Sequence, residues 1–256
     1  MSEPIRLWRE GAVAILQLAR EDKRNALDLI TRAAIAGALL ELASDDRVAV
    51  IVISGGDKVF AAGADLNLLV DKGAQDVADL DLGQYWATLV RCPKPVIAAV
   101  SGVALGAGCE LAMMCDLIVA DRSARFGQPE VRVGIMPGAG GTQRLLRAVG
   151  KPVASLMLMT GETLAAERAA QLGLVSELVE DGPALPRALA LAQVIAGMPA
   201  KALRAIKRSL ALGADHSLEV ALALENREFL LLFDTHDKHE GMRAFLDKRT
   251  PRYEGK

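Results

Sequence analysis

The stretch from Pro95 to Ala120, PVIAAVSGVALGAGCELAMMCDLIVA, constrains the fold more than any other part of the chain. It is almost wholly apolar, yet it carries Glu110, Asp116 and three glycines in its middle. A bilayer-spanning helix accommodates mid-span carboxylates and a glycine cluster poorly, so the stretch reads as the core of a soluble domain and not as membrane. Its β-branched ends and small-residue middle predict strand Val96–Val100, a glycine-rich turn, helix Ala107–Cys115 and strand Leu117–Ala120. Pro93 and Pro95 stop a preceding helix near Tyr85–Arg91. Strand and helix alternating in this way point to a wound α/β core.

The flanking segments repeat the theme. Short strands are expected near Ile5–Trp8 and Ala12–Leu18, then a turn at Arg20–Asn25 and an amphipathic helix from about Asp28 to Ala43. The β-branched run Val48–Ile53 ends at Gly55 and Gly56, and FAAGAD, residues 60–65, opens a Leu- and Asp-rich segment to about Gly83 that reads as a candidate flap. From Gly140 onward helices dominate: Thr142–Val149, Pro152–Met159, Ala165–Leu172, Ala184–Gly197, Ala200–Leu212 and Ser217–Phe233, followed by a charged tail. That final third has the pattern of a helical layer suited to subunit contact.

Bulk properties narrow the function classes. With 256 residues, 52% of them hydrophobic and 24% charged, the chain can bury one substantial core and has no disordered composition. A formal charge of −2 without a long basic run gives no attraction to phosphate backbones, so nucleic acid is not expected as a partner. The start MSEPIRLWRE lacks a basic stretch followed by an apolar run, and the expected location is cytoplasmic. Cys92, Cys109 and Cys115 are odd in number and contain no C-x-x-C pair, which indicates neither a disulfide framework nor a thiolate metal site. His216, His236 and His239 form no H-E-x-x-H pattern, and no metal is expected.

Two carboxylates carry the chemical signal. Glu110 in ALGAGCELAMMCD and Glu130 in FGQPEVRVGIMPGAGG are each surrounded by glycines that leave the backbone bare. A carboxylate beside free N–H groups can move protons while the amides hold a developing negative charge. A helix beginning near Ala107 leaves its first N–H groups unpaired, although an acidic residue stabilising its own helix explains Glu110 alone equally well. A dinucleotide G-x-G-x-x-G would need glycine at the position held by Leu111, so no nicotinamide cofactor is implied. The AAGAD segment supplies a second bare backbone after a strand. Residues 136–142, MPGAGGT, lack the lysine and spacing of a P-loop, and a structural turn and a water-positioning loop both stay open for them. Lys201, Arg204, Lys207 and Arg208 fall on one helical repeat and read as a solvated face.

Taken together, FAAGADL, KPVIAAVSGVALGAGCELAMMCD, FGQPEVRVGIMPGAGGTQRL and the tail HEGMRAFLDKRTP resemble the enoyl-CoA hydratase/isomerase family, the crotonase superfamily, over essentially the whole chain. The resemblance implies an α/β fold, a crotonase-like spiral of β-β-α units. Residues 1–195 would form the spiral core with the acyl-CoA site, and residues 196–256 a helical region that drives trimerisation, commonly with two trimers stacked as a hexamer. It implies that the N–H groups of Ala64 and Ala107 grip a thioester oxygen. It also implies that Glu110 and Glu130 lie about one water apart over the double bond of a trans-2-enoyl-CoA, Glu110 activating water and Glu130 supplying the proton. Gly138 matches a position that helps hold the water. For coenzyme A the resemblance points to Lys23, Arg24 and Ala26, to Ala62, Asp65 and Leu66, and to Phe245 and Lys248 from a neighbouring tail. The implied activity is syn hydration to a 3-hydroxyacyl-CoA without metal or redox cofactor, coenzyme A being part of the substrate. Alternatives are an isomerase that shifts a 3-enoyl to a 2-enoyl double bond with one carboxylate, and a non-catalytic RNA-binding relative. The two intact glutamates and the lack of a basic helix count against the latter. Within the family, LGAGCEL, FAAGADLN and the tail are similar to bacterial hydratases of 2,3-dehydroadipyl-CoA in phenylacetate breakdown.

Overall fold

Side chains alternating along the buried strands face two separate apolar environments, and this places one sheet between two layers. The computed structural model describes residues 3–256. Strands β1 (Ile5–Glu10) and β2 (Val13–Leu18) precede helix α1 (Leu29–Ser44). Next come β3 (Val50–Ser54), β4 (Val59–Ala61), α2 (Ala74–Asp79) and α3 (Leu82–Val90). Then follow β5 (Val96–Val100), β6 (Val103–Leu105), α4 (Ala107–Met114), β7 (Leu117–Asp121), β8 (Arg125–Gly127) and α5 (Gly141–Thr160). The chain closes with β9 (Thr163–Ala165), α6 (Ala166–Gln171), β10 (Glu177–Val179), α7 (Ala184–Ala196), α8 (Ala200–Gly213), α9 (Leu218–Leu232) and α10 (His236–Leu246).

Six strands form one sheet in the order β1-β2-β3-β5-β7-β10, and four form a second in the order β4-β6-β8-β9. β1 and β2 are antiparallel; β2, β3, β5, β7 and β10 run parallel. The first turn lays both of its strands, β1 and β2, in the large sheet; the turns that begin at β3, β5 and β7 each lay one strand in the large sheet and the next in the small sheet before returning through helix, which makes a β-β-α spiral. Ile51 and Ile53 of β3 point with Val96, Ala98 and Val100 of β5 into a core shared with α1, α3, α4 and the small sheet. Val50, Val52, Ile97 and Ala99 point the other way, onto α7. There Ala184, Ala188 and Ala192 recur at helical spacing, and their small side chains let the helix sit close on the sheet. Each fully buried Val, Ile or Leu contributes about 1.5–3 kcal/mol over its exposed state.

Local chemistry closes the elements. Asp28 caps α1 by accepting from Thr31 N at 2.8 Å. The buried Lys94 ammonium donates to the carbonyls of Leu42 (2.7 Å) and Asp45 (2.6 Å) at the other end of the same helix. Within α5, Gly150 is non-helical (φ 77°, ψ 162°), so Thr142–Val149 and Pro152–Met159 are two helical pieces as expected. The structure differs from the sequence expectation at β4, β6, β8, β9 and β10, three-residue strands too short to show a period. The charged tail is also no loose end: it folds as α10, and buried Asp237 accepts from the N–H groups of Glu254 and Gly255, both at 2.8 Å. The segment from Leu66 to Gly83 contains a 3₁₀ turn (Leu66–Leu68), α2 and the first residues of α3. No single helix among the described residues is long and apolar enough to cross a membrane.

Candidate active site

The site begins with a close approach that only glycine permits. A β-carbon at Gly108 would lie 2.2 Å from the Ala61 carbonyl oxygen, so the first turn of α4 rests directly on β4. Gly106, which precedes that helix, has φ 50° and ψ −124°, a conformation other residues seldom adopt. A β-carbon at Gly63 would lie 3.1 Å from Leu105 O and 3.9 Å from Ala107 N, so the backbone at Gly63 and Ala64 runs beside the start of α4. Leu27 N donates to Gly63 O at 2.8 Å from the opposite side. The N–H groups of Ala64 and Ala107 donate no hydrogen bond among the described residues. Two free donors, one of them at a helix start where the dipole favours negative charge, are suited to an anionic oxygen.

Glu110 sits in the first turn of α4 and is 2% exposed. One of its carboxylate oxygens, Oε1, accepts from Ala139 N and Gly141 N, both at 2.7 Å. The small-residue run at the start of α5 thus cradles a carboxylate of the chain itself. Gly141 has no space for a side chain, because a β-carbon would stand 2.8 Å from both the side-chain amide of Gln128 and Pro137 Cβ. Ala139 and Gly141 were not singled out as site residues by the sequence reading; their signal is the bare backbone at a helix N-terminus. Gly138, the neighbour of Ala139, is exposed.

Glu130 belongs to the 3₁₀ turn Pro129–Val133. Its carboxylate fills the space beside Gly106, where a β-carbon would come within 2.7 Å of Oε1. The side-chain amide of buried Gln128, oriented to satisfy its surroundings, donates to the two Glu130 oxygens at 3.2 and 3.3 Å. Burial pushes the Glu130 carboxyl up to about 7; its own backbone N–H opposes that shift, and the negative charge of Glu110 reinforces it. Burial also raises Glu110, against the N–H groups of Gly141 and Ala139 and the charges of Arg32 and Arg144. Two carboxyl groups acting on each other, both with raised proton affinity, are suited to share acid and base work.

A second cluster lies at the turn after β2. Buried Asn25 donates through Nδ2 to the carbonyls of Gly55, Val59 and Phe60 at 2.9, 3.0 and 3.1 Å, and Ala62 N donates to Arg24 O at 3.0 Å. These bonds bring Lys23, Arg24 and Ala26 against the loop of Ala62, Asp65 and Leu66. Lys23, Arg24 and Leu66 are exposed, and Asp65 caps the following 3₁₀ turn by accepting from Asn67 N at 3.0 Å. Phe245, 83% exposed on α10, and Lys248 just beyond it are joined to this cluster by no hydrogen bond or ion pair among the described residues. Among the described residues no group of three or more His, Cys, Asp or Glu side chains is placed to hold a metal ion.

Free backbone donors beside two carboxyls of raised proton affinity suit acid–base chemistry on a group that gains negative charge on oxygen. The chain belongs to the enoyl-CoA hydratase/isomerase family, whose model matches residues 9–256. It is 46% identical over 256 residues to the 2,3-dehydroadipyl-CoA hydratase of Escherichia coli, covering all of both chains. It is 41% identical over 250 residues to a crotonyl-CoA hydratase of Syntrophomonas wolfei, covering 96% of each. The crystal structure of an enoyl-CoA hydratase from Bacillus anthracis superposes with a TM-score of 0.94 at 33% identity, covering 99% of this chain and 100% of that one.

Proposed function

We propose that the protein is an enoyl-CoA hydratase that adds water reversibly and syn across the double bond of a trans-2-enoyl-CoA, giving a 3-hydroxyacyl-CoA. The observation that carries this reading is the pair Glu110 and Glu130, mutually interacting carboxyls at the open start of α4. The thioester oxygen accepts from Ala64 N and Ala107 N, which draws electron density away from C3. Donors of this kind each supply about 2.7–4 kcal/mol of transition-state stabilisation. Glu110, held by two N–H groups that favour its ionised form, takes a proton from water as the oxygen bonds to C3. Glu130, protonated near neutrality, gives its proton to C2 on the same face. The proton left on Glu110 returns to Glu130 before the next turnover, so over the cycle water supplies both added groups and the reaction balances without metal or redox cofactor. Gly138 is assigned to holding the water.

Coenzyme A is assigned to Lys23, Arg24 and Ala26 with Ala62, Asp65 and Leu66, the cationic side chains pairing with phosphate oxygens. Phe245 and Lys248 are assigned to the same site from a neighbouring subunit. In support of a homotrimer or a hexamer of two trimers, α9 has no buried residue in the single chain and exposes Leu218, Leu222, Phe229 and Leu230. Residues 196–256 are accordingly assigned to assembly and residues 1–195 to the core. An acyl-CoA substrate fits a cytoplasmic location. For the acyl group we take 2,3-dehydroadipyl-CoA, supported by the Escherichia coli relative, and we assign the protein to phenylacetate breakdown on the sequence resemblance alone. Δ3-Δ2 isomerisation needs one carboxyl, and the second one favours hydration.

Glu110→Gln and Glu130→Gln are each expected to lower turnover of crotonyl-CoA by about 10²–10⁴, followed as loss of the conjugated thioester absorbance. Near-wild-type rates in either variant would sink the assignment.

A further inference from the structure

One buried cation is not used by the chemistry above. Arg32 lies in the stripe Arg32, Ile35, Leu39, Leu42 of α1, on the face packed into the core, and is itself 3% exposed. Its Nε donates to Leu27 O at 3.0 Å, and its guanidinium stacks over the Trp86 ring at 4.9 Å from the centroid. Among the described residues its other N–H groups find no hydrogen-bond acceptor, and no carboxylate pairs with it. The Trp86 indole Nε1, also buried, has no hydrogen-bond partner. The buried indole donor is costly unless something occupies it part of the time, and beside it stands a guanidinium whose terminal N–H groups no protein acceptor fills.

The wedge adjoins the reacting end of the site. Leu27, whose carbonyl holds Arg32, donates its own N–H to Gly63 O and bridges to Ala64. Glu110 is the leading negative charge acting on Arg32, while Glu110 spends its hydrogen bonds on Ala139 and Gly141. An acyl chain held by its thioester oxygen at Ala64 and passing Glu110 therefore runs toward α1 and α3. Extended, the terminal carbon of a six-carbon acyl group lies about 6 Å from its thioester carbon. A guanidinium presents a planar fork that matches a carboxylate in two hydrogen bonds.

We propose that Arg32, stacked on Trp86, determines acyl specificity by receiving the terminal carboxylate of a dicarboxylic 2-enoyl-CoA, with the Trp86 indole N–H as a second donor. This rests on the hydratase reading above and names the residue that selects the substrate. It differs from a structural role for Arg32 because a structural residue affects all acyl chains alike.

The test compares 2,3-dehydroadipyl-CoA with trans-2-hexenoyl-CoA, the same six-carbon chain without the carboxylate, on the full-length protein. Wild type is expected to favour the dicarboxylic substrate in kcat/KM. Arg32→Met is expected to lower that ratio about 10²-fold or more, mainly through KM, and Trp86→Phe several-fold. Arg32→Lys is expected to restore part of the preference. Calorimetric binding of adipyl-CoA against hexanoyl-CoA gives the same comparison without turnover, and the wild-type preference stands as a test even if Arg32→Met fails to fold. An unchanged ratio in Arg32→Met, an equal fall on both substrates, or a wild type that favours hexenoyl-CoA overturns the inference while leaving the hydratase. A wild type that hydrates neither substrate overturns the hydratase reading and this inference with it.

Discussion

Replacing Gly108 by alanine tests whether the contact between α4 and β4 sets the oxyanion receptor. The backbone of Gly108 is helical, so the substitution brings no φ strain and alanine propensity works slightly in its favour. The new β-carbon, however, would stand 2.2 Å from Ala61 O and 2.7 Å from Ala61 Cβ. Both are parts of a buried strand with no freedom to swing aside. Restoring even the 3.0 Å that real β-carbons respect moves the start of α4 off β4 by about 0.8 Å. Ala107 is the residue before Gly108 and Ala64 lies on the loop that leaves β4, so the shift separates the two donors. A displacement near 1 Å costs about 10²-fold in rate, and overpacking about 1–3 kcal/mol in stability. The expected result is kcat/KM for crotonyl-CoA down about 10²-fold, with a folded protein of lowered Tm. Gly37→Ala is the control, since Gly37 is exposed in α1 and a β-carbon there meets nothing within 4 Å. A Gly108→Ala enzyme with wild-type kcat/KM and wild-type Tm would refute the steric argument.

Two further outcomes follow from the carboxyl pair. In the hydration direction kcat/KM is expected to fall as pH rises through about 7, where Glu130 gives up its proton, and to fall again in acid as Glu110 gains one; both limbs belong to the coupled pair, and a profile flat from pH 5 to 9 would contradict the assignment. Glu130 has a folded-state pKa above its unfolded value, so its favourable contribution is complete below the unfolded value near 4.5 and is lost as pH rises through about 7. The Tm difference, Glu130→Gln minus wild type, should therefore grow between those limits and level off above them; a difference independent of pH would show that burial does not hold the proton on Glu130.

Much of the fold is legible in the sequence. Val96–Val100 and the helix from Ala107 appear where the β-branched run and the glycine-rich turn predict them, and the break at Gly150 falls between the two expected helices. The short strands of the small sheet were hidden because three residues span barely one full side-chain alternation. Arg32 was hidden for the opposite reason: it occupies a core position of an amphipathic helix, and a periodicity argument treats a single charge there as noise.

What the sequence determines by itself is local. It sets which runs bury both faces, where helices start and stop, and where the backbone must remain bare, as at Gly106, Gly108 and Gly141. What tertiary structure decides is the company those residues keep. Glu110 meets the amides of Ala139 and Gly141, Glu130 lies against Gly106, and Arg32 reaches Leu27 beside Ala64. These meetings depend on how far each β-β-α turn of the spiral advances before it returns, and that distance is fixed by packing between two sheets, which no short window of residues encodes.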